Sequence, residues 1–254
     1  MKDDTKLRLL TLLPGWAVRR LMRPRYLRMI GGGGEAELGE LPRIVRKQDL
    51  AIDVGCNLGI YTFALSGLAD RVIAFEPIPL LARFVRKQRL PGVKVEQIAL
   101  SSSDGAGELS VPETGAAYAS LRVDAPLGQG QRLQVATRSL DSLDLGRIGF
   151  MKVDVEGFEE AVLNGARATI ARDKPRLLVE IEERHNHGGL ARIVAMLTDL
   201  GYTCWFFNGG QWHGFAEFDL DRDQNPANVE NPLAGARYIN NFLFLPKGES
   251  LAAA

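Results

Sequence analysis

Apolar residues fall along this chain in two rhythms. Short continuous runs at residues 50–54, 71–75, 93–99, 148–155, 177–181, 202–207 and 241–245 have the length and content of buried strands. Between them, apolar positions recur at helical spacing: Ile60, Phe63, Ala64 and Leu68; Leu80, Leu81, Phe84 and Val85; Leu190, Ile193, Val194 and Leu197. Residues 35–45 and 158–170 read as two further helices. This alternation predicts an α/β fold around a mostly parallel sheet. Residues 105–143 interrupt it with two strand-like stretches around a polar segment, a β-rich insertion. Residues 208–210 form a turn between 202–207 and the hairpin-like 211–218, and 219–230 read as a surface loop.

The first 34 residues have a different character. Met1 to Ile30 holds eight Lys/Arg against Asp3 and Asp4, with leucines, Trp16, Met22, Tyr26 and Met29 interleaved. Pro14 and Pro24 are expected to divide it into short helices. Two readings stand: a helical extension packed on the domain with its basic face outward, or a segment that docks on a membrane surface or a protein partner. Gly31 to Gly34 reads as a flexible joint. The organisation is then 1–34 as extension and linker, 35–248 as the domain, and 249–254 as a tail.

The first strand candidate ends in Asp53-Val54, and Gly55 and Gly59 precede the first helical stretch. Strand, glycine turn and helix is the layout of a nucleotide-binding first βα unit. The spacing Gly-x-x-x-Gly is neither a dinucleotide fingerprint nor a phosphate loop, and the phosphate-loop lysine is missing. Asp53 is a poor neighbour for a pyrophosphate and a good one for an ammonium or sulfonium group. The second strand ends in Glu76-Pro77, and an acid at that place accepts hydrogen bonds from ribose hydroxyls.

These residues resemble class I S-adenosylmethionine-dependent methyltransferases, and within them the FkbM family. Three stretches carry the resemblance: Asp53-Val54-Gly55-Cys56-Asn57-Leu58-Gly59-Ile60-Tyr61-Thr62, Phe75-Glu76-Pro77 and Lys152-Val153-Asp154-Val155-Glu156-Gly157. It extends from Glu37 to Leu245. It implies a Rossmann-like, seven-stranded, mostly parallel sheet sandwiched by helices, to which the β-rich insertion and the N-terminal helical extension are added. It implies S-adenosylmethionine as cofactor, held by Asp53, Gly55, Cys56, Asn57, Gly59, Tyr61, Thr62, Glu76 and Pro77, with Ala99 and Ser101 at the adenine edge. It also implies methylation of a hydroxyl on a glycan or a small natural product. In such proteins the insertion borders the active site; its middle here is Ser120-Leu121.

Composition narrows the setting. With 254 residues, 46% of them hydrophobic and 24% charged, the chain suits one domain with a sizeable core. A formal net charge of zero gives no electrostatic argument for nucleic acid, and no nucleic-acid partner is expected. Two cysteines, Cys56 and Cys204, make no disulfide framework and suit a reducing cytoplasm. The uncharged stretch 9–18 is too short to span a bilayer, and Ala17-Val18-Arg19-Arg20 is a poor cleavage site, so a cytoplasmic protein is expected.

Ligands of open α/β sheets bind beyond the carboxyl ends of the strands, and four such ends carry acids: Asp53, Glu76, Asp154 with Glu156, and Glu180 with Glu182. Lys152, Asp154 and Glu156 recur at period two, which puts them on one strand face. With Asp53 and Glu76 given to the cofactor by the resemblance, Asp154 and Glu156 face the methyl group's destination. An alcohol must lose its proton as it attacks, and a base for it is worth about 10²–10⁴-fold in rate. Asp154 suits that role, as does His185, whose residue type titrates near about 6.5. Lys152 reads as a catalytic group or as the ion-pair partner of Glu156 or Glu180. A magnesium-assisted mechanism would use Asp154, Glu180 and Glu182 as oxygen ligands. No ligand spacing calls for it, and no metal is expected. His185-Asn186-His187 lacks a nearby cysteine or third histidine for zinc. Two other functions stay open: an NAD-type oxidoreductase, against which the missing middle glycine argues, and a cofactor-binding module without activity.

Overall fold

The computed structural model describes residues 2–111, 131–230 and 237–251. Its strands are β1 (Leu50–Val54), β2 (Arg71–Phe75), β3 (Val93–Glu96), β4 (Ala99–Leu100), β5 (Gly105–Val111), β6 (Gln131–Arg138), β7 (Phe150–Val153), β8 (Arg176–Glu180), β9 (Tyr202–Asn208), β10 (Gln211–Gly214) and β11 (Asn241–Pro246). Its helices are α1 (Lys2–Leu12), α2 (Gly15–Arg28), α3 (Glu37–Ile44), α4 (Ile60–Ser66), α5 (Pro79–Lys87), α6 (Glu159–Asn164), α7 (Arg167–Asp173), α8 (Gly189–Asp199), α9 (Leu220–Asp223) and α10 (Ala227–Glu230).

Among the described residues the main sheet runs β10-β9-β11-β8-β7-β1-β2-β3. The five strands from β3 to β8 are parallel neighbours, β11 enters antiparallel between β8 and β9, and β10 pairs antiparallel with β9 at the edge. The expected seven strands are therefore eight. Gly209 and Gly210 both take positive φ, 58° and 84°, which is the tight two-residue turn that folds a hairpin, so Gln211–Gly214 joins the sheet.

Burial alternates along the strands. Ile52, Met151 and Val179 belong to the core on one face, while Ala51, Phe150, Leu178 and Leu243 belong to the core on the other. By the same period, Asp53, Lys152, Glu180 and Asn241 continue this second face at the sheet's upper rim. The apolar run 93–99 divides: Ala99–Leu100 leaves the main sheet and pairs with β6 in a smaller sheet, β4-β6-β5, which is the β-rich insertion. Ser120-Leu121 lies outside the described residues. The helix expected over 158–170 is α6 and α7, separated at Gly165, where a Cβ would overlap the Ser101 carbonyl. The segment 219–230, expected as a loop, holds α9 and α10. Asp219 caps the first through the Arg222 amide, and Asp223 is drawn inside by Arg222 and Arg237.

Pro14 separates α1 from α2. Pro24 does not break α2; it lies on the helix's exposed side. The inner face of α2 presents Val18, Met22 and Tyr26 at intervals of four, all buried against Cys56, Phe84 and Val85. The Tyr26 hydroxyl donates to the Leu58 carbonyl at 2.5 Å and accepts from Gln88 at 3.0 Å, and its ring lies 4.9 Å from that of Phe63. Met29–Gly33 then makes a wide helical turn, and Gly32 at φ 103° reverses the chain toward α3.

Candidate functional site

The strand order reverses between β1 and β7, so a crevice opens above their carboxyl ends. A cleft of about 300 Å³ lies there, lined by Gly55, Asn57, Glu76, Asp154, Glu156 and Glu180 among others. A chamber of about 190 Å³ adjoins it through Glu35, Gly55, Asn57 and Asp154. Its walls include Asp53, Cys56, Tyr61 and Lys152, and on the far side Met22, Arg25, Tyr26 and Met29 of α2.

The floor is the glycine turn. The Gly55 and Cys56 amides both donate to the Phe75 carbonyl, at 2.9 and 3.1 Å, and Gly59 donates to Cys56 at 2.7 Å. Gly55 (φ 79°), Asn57 (φ 50°) and Gly59 (φ 83°) all take left-handed backbone. The reason for a glycine at 55 lies across the crevice: a Cβ there would overlap the Asp154 carbonyl oxygen. Gly55→Ala is therefore expected to cost at least about 2 kcal/mol from the strained φ and the overlap together, read as a lower midpoint in urea unfolding. A midpoint equal to wild type would mean that β1 and β7 can part without loss.

Glu76 is 4% exposed. Its two carboxylate oxygens accept from the Asn57 amide and the Ile78 amide, each at 2.9 Å, so the side chain ties the end of β2 to the glycine turn. Burial pushes its pKa up to about 7 against the pull of those two amides. Each oxygen keeps a lone pair for a further donor in the cleft. Pro77, Ile78, Leu81, Ile98, Ala99 and Leu109 line the same end as an apolar slot. Asp53 is 1% exposed and lies behind the turn, where Thr62 donates to it at 2.5 Å; burial raises its pKa to about 6. Burial also pushes the Cys56 thiol well up, so it is an apolar wall rather than a nucleophile.

Lys152 organises the opposite end. Fully buried, its ammonium donates to Asn241 at 3.0 Å, lies 3.8 Å from both Asp154 and Glu180, and sits 4.8 Å from the centre of the Tyr61 ring. Burial alone would lower its pKa; the carboxylates of Asp154, Glu180, Glu35 and Asp53 reverse this and hold it above the usual range. Glu35 accepts from the Tyr61 hydroxyl at 2.6 Å and from Asn241 at 3.0 Å. Burial and the Asp154 charge push the Glu180 carboxyl well up, and a hydrogen bond joins these two acids. Glu180 also accepts from Asn240 at 2.5 Å.

Strand alternation does not carry Lys152, Asp154 and Glu156 onto one face. The strand ends at Val153, and Glu156 takes left-handed backbone at φ 51°, so a turn and not the pleat brings Asp154 and Glu156 into one cleft. Lys152 faces the adjoining chamber and pairs with Asp154 and Glu180, not with Glu156. Glu156 instead meets His185, Nδ1 to carboxylate oxygen at 3.2 Å, and burial lifts its pKa to about 7. Glu182 is held by Arg184, by the Tyr238 hydroxyl at 2.6 Å and by Asn240 at 3.5 Å. Arg184 and Tyr238 keep its pKa low in spite of burial. With Glu182 engaged and an ammonium already between Asp154 and Glu180, these three acids are a poor donor set for magnesium. Among the described residues no group of three metal-ligating side chains gathers.

Other residues singled out by sequence lie off the cleft. Ser101 is buried, with its amide bonded to the Arg138 carbonyl and its own carbonyl packed on Gly165. Gly59 packs on Val85, and Thr62 reaches the site only through Asp53. Conversely Glu35, Asn240, Asn241 and Tyr238 join the site without a sequence motif. The one signal available for Asn241 was an amide opening an otherwise apolar strand.

The sequence profile described as the methyltransferase FkbM domain matches residues 53–204. No curated protein matches the chain. Among solved structures, the chain is similar to a methyltransferase FkbM from Methylobacillus flagellatus KT, with a TM-score of 0.52 at 15% identity over 78% of this chain and 44% of that one; it thus spans less than half of that relative. It is also similar to an rRNA methylase from Streptococcus thermophilus (TM-score 0.46, 12% identity, 82% and 92% covered). A third similar structure, from Streptococcus mutans, is described as a methyltransferase in complex with SAH (0.45, 11%, 81% and 93%). At such identities, structural likeness speaks for fold alone. The profile match reaches further, because it takes in the glycine turn, Glu76, the Lys152-to-Gly157 run and more than half of the sequence. The chain belongs to the FkbM family of S-adenosylmethionine-dependent methyltransferases.

Proposed function

We propose that the protein is an O-methyltransferase that transfers the methyl group of S-adenosylmethionine to an uncharged hydroxyl of a glycan or a small natural product. One observation carries this reading: among the described residues, the ionisable side chains lining the main cleft are the acids Glu35, Glu76, Asp154, Glu156 and Glu180. Such a lining favours a sulfonium cation and repels the pyrophosphate of a nicotinamide dinucleotide, which counts against an oxidoreductase. It also repels phosphorylated acceptors.

S-adenosylmethionine, when bound, supplies a methyl group on a positively charged sulfur, ready for in-line displacement. The residues suited to hold it are Glu76 for the ribose hydroxyls and the slot of Pro77, Ile78, Leu81, Ile98, Ala99 and Leu109 for the adenine. The Gly55–Asn57 backbone and Asp53 suit the remainder. Asp154 then takes the proton of the attacking hydroxyl, and the paired Glu156 and His185 orient the acceptor. Lys152, 3.8 Å away, holds Asp154 in place.

Calorimetry tests the reading. S-adenosylhomocysteine should bind and NAD should not, and Glu76→Ala should weaken binding by about 1.5–3 kcal/mol, the worth of charge-assisted hydrogen bonds. Ribose hydroxyls donate to the ionised carboxylate, and the free protein holds Glu76 up to about 7. Affinity should therefore rise as pH goes from about 6 to about 8 and be flat with pH in Glu76→Gln. Tight NAD binding, or a Glu76→Ala variant that binds as wild type does, would remove this assignment.

A further inference from the structure

The outward faces of α1 and α2 gather what the rest of the surface avoids. Leu9, Leu12, Leu13, Trp16, Leu21 and Leu27 are exposed by 37–74%, and Leu220 is the one other large hydrophobic side chain so exposed among the described residues. The turn at Pro14 brings Leu12 and Leu13 at the end of α1 next to Trp16 at the start of α2. On α2, Trp16, Arg20, Arg23 and Leu27 follow one another at i, i+4, i+7 and i+11, opposite the buried Val18, Met22 and Tyr26. From Thr5 to Gly34 there are seven Lys/Arg and no acid. Because the whole chain is neutral and residues 1–34 carry +6, the remainder carries −6, and the molecule is strongly polarised.

We infer that this face docks on a bilayer surface containing anionic lipid. Exposed leucines and a tryptophan interleaved with arginines match the boundary between acyl chains and headgroups, where apolar side chains leave water and cations meet anionic headgroups. The helices lie on the surface rather than cross it. At 14 residues α2 spans about 21 Å, less than the bilayer's hydrocarbon core of about 30 Å, and no described helix is long and apolar enough to cross. A second copy of the chain is disfavoured as occupant, since two such faces would oppose like charges. Nucleic acid would leave the five leucines in water. The inner face of α2 walls the chamber beside the cleft through Met22, Arg25, Tyr26 and Met29, so docking sets the site next to the lipid surface.

The test is co-sedimentation of the full chain with vesicles of phosphatidylcholine alone or mixed with phosphatidylglycerol. The chain should sediment with the mixed vesicles, at least about tenfold less with phosphatidylcholine alone, and at least about tenfold less after the double substitution Leu12→Glu, Trp16→Glu. Both side chains are exposed, so the variant should keep its circular dichroism and its affinity for S-adenosylhomocysteine. The inference is overturned if mixed vesicles do not retain the chain or if the double variant sediments undiminished. It is equally overturned if the substitutions dissolve a dimer in analytical ultracentrifugation, or abolish binding to single-stranded RNA, without changing vesicle binding.

Discussion

Asp154→Asn is expected to lower the rate of methyl transfer by at least about a hundredfold, the lower end for loss of a general base, while S-adenosylhomocysteine binds nearly as before. Asparagine keeps the shape of the side chain and its place beside Lys152 and Glu180, so the cleft should stand. What it removes is the carboxylate proposed as proton acceptor, at the point where β7 ends and the crevice begins. A competitor for that role is the Glu156–His185 pair, 3.2 Å apart. His185→Ala should lower turnover less than Asp154→Asn or weaken acceptor binding. The opposite ranking would move the base to that pair, and normal turnover in Asp154→Asn would remove Asp154 from the chemistry. A rate abolished by chelator and restored by magnesium would make Asp154 a metal ligand in place of a base.

Lys152→Met should destabilise the protein by about 3–5 kcal/mol, the usual consequence of taking one partner from a buried charge cluster. The ammonium is fully buried among Asp53, Asp154, Glu180 and Glu35, and methionine fills its space without its charge. The pH dependence gives the diagnosis. In the wild type, Lys152 is held above its usual range, so its contribution is complete across neutral pH and fades only as pH rises through that raised value. In the variant the buried Asp53 carboxylate, which titrates near about 6 even with the ammonium beside it, is relieved by taking up a proton, so the loss should be smaller near about pH 5 than near about pH 8. Urea unfolding at the two pH values reads this directly. A loss below about 1 kcal/mol at both would mean that the cluster adds little beyond packing.

Much of this arrangement was legible from local signals. The run into Asp53, the left-handed turn and Glu76 lie within one βα unit, where glycine spacing and an acid at a strand end carry their meaning without help from distant residues. The Lys152-to-Gly157 run was legible as a motif, but its geometry was not. Strand periodicity cannot foresee a left-handed residue such as Glu156, which ends the alternation. The surroundings of Ser101 were not legible either: β4 leaves the main sheet, and the Ser101 carbonyl packs on Gly165. Glu35 and Asn241 were illegible, because their roles come from pairing 206 residues apart in the sequence. The hairpin over 208–218 was legible from its glycine turn, but the seven-stranded sheet that the resemblance implies leaves its second strand out of the count.

The position of β11 has a consequence for how the protein comes into being. This strand is wedged between β8 and β9, antiparallel to both, and its first residue, Asn241, is the hydrogen-bond partner of both Lys152 and Glu35. During synthesis the parallel strands emerge first, and until residues 241–246 arrive β8 and β9 expose two unpaired apolar edges, a setting that invites wrong partners. Over that interval the buried lysine also lacks the amide that anchors it. Closing the sheet between β8 and β9 and anchoring the buried lysine thus wait on the same six residues, 241–246.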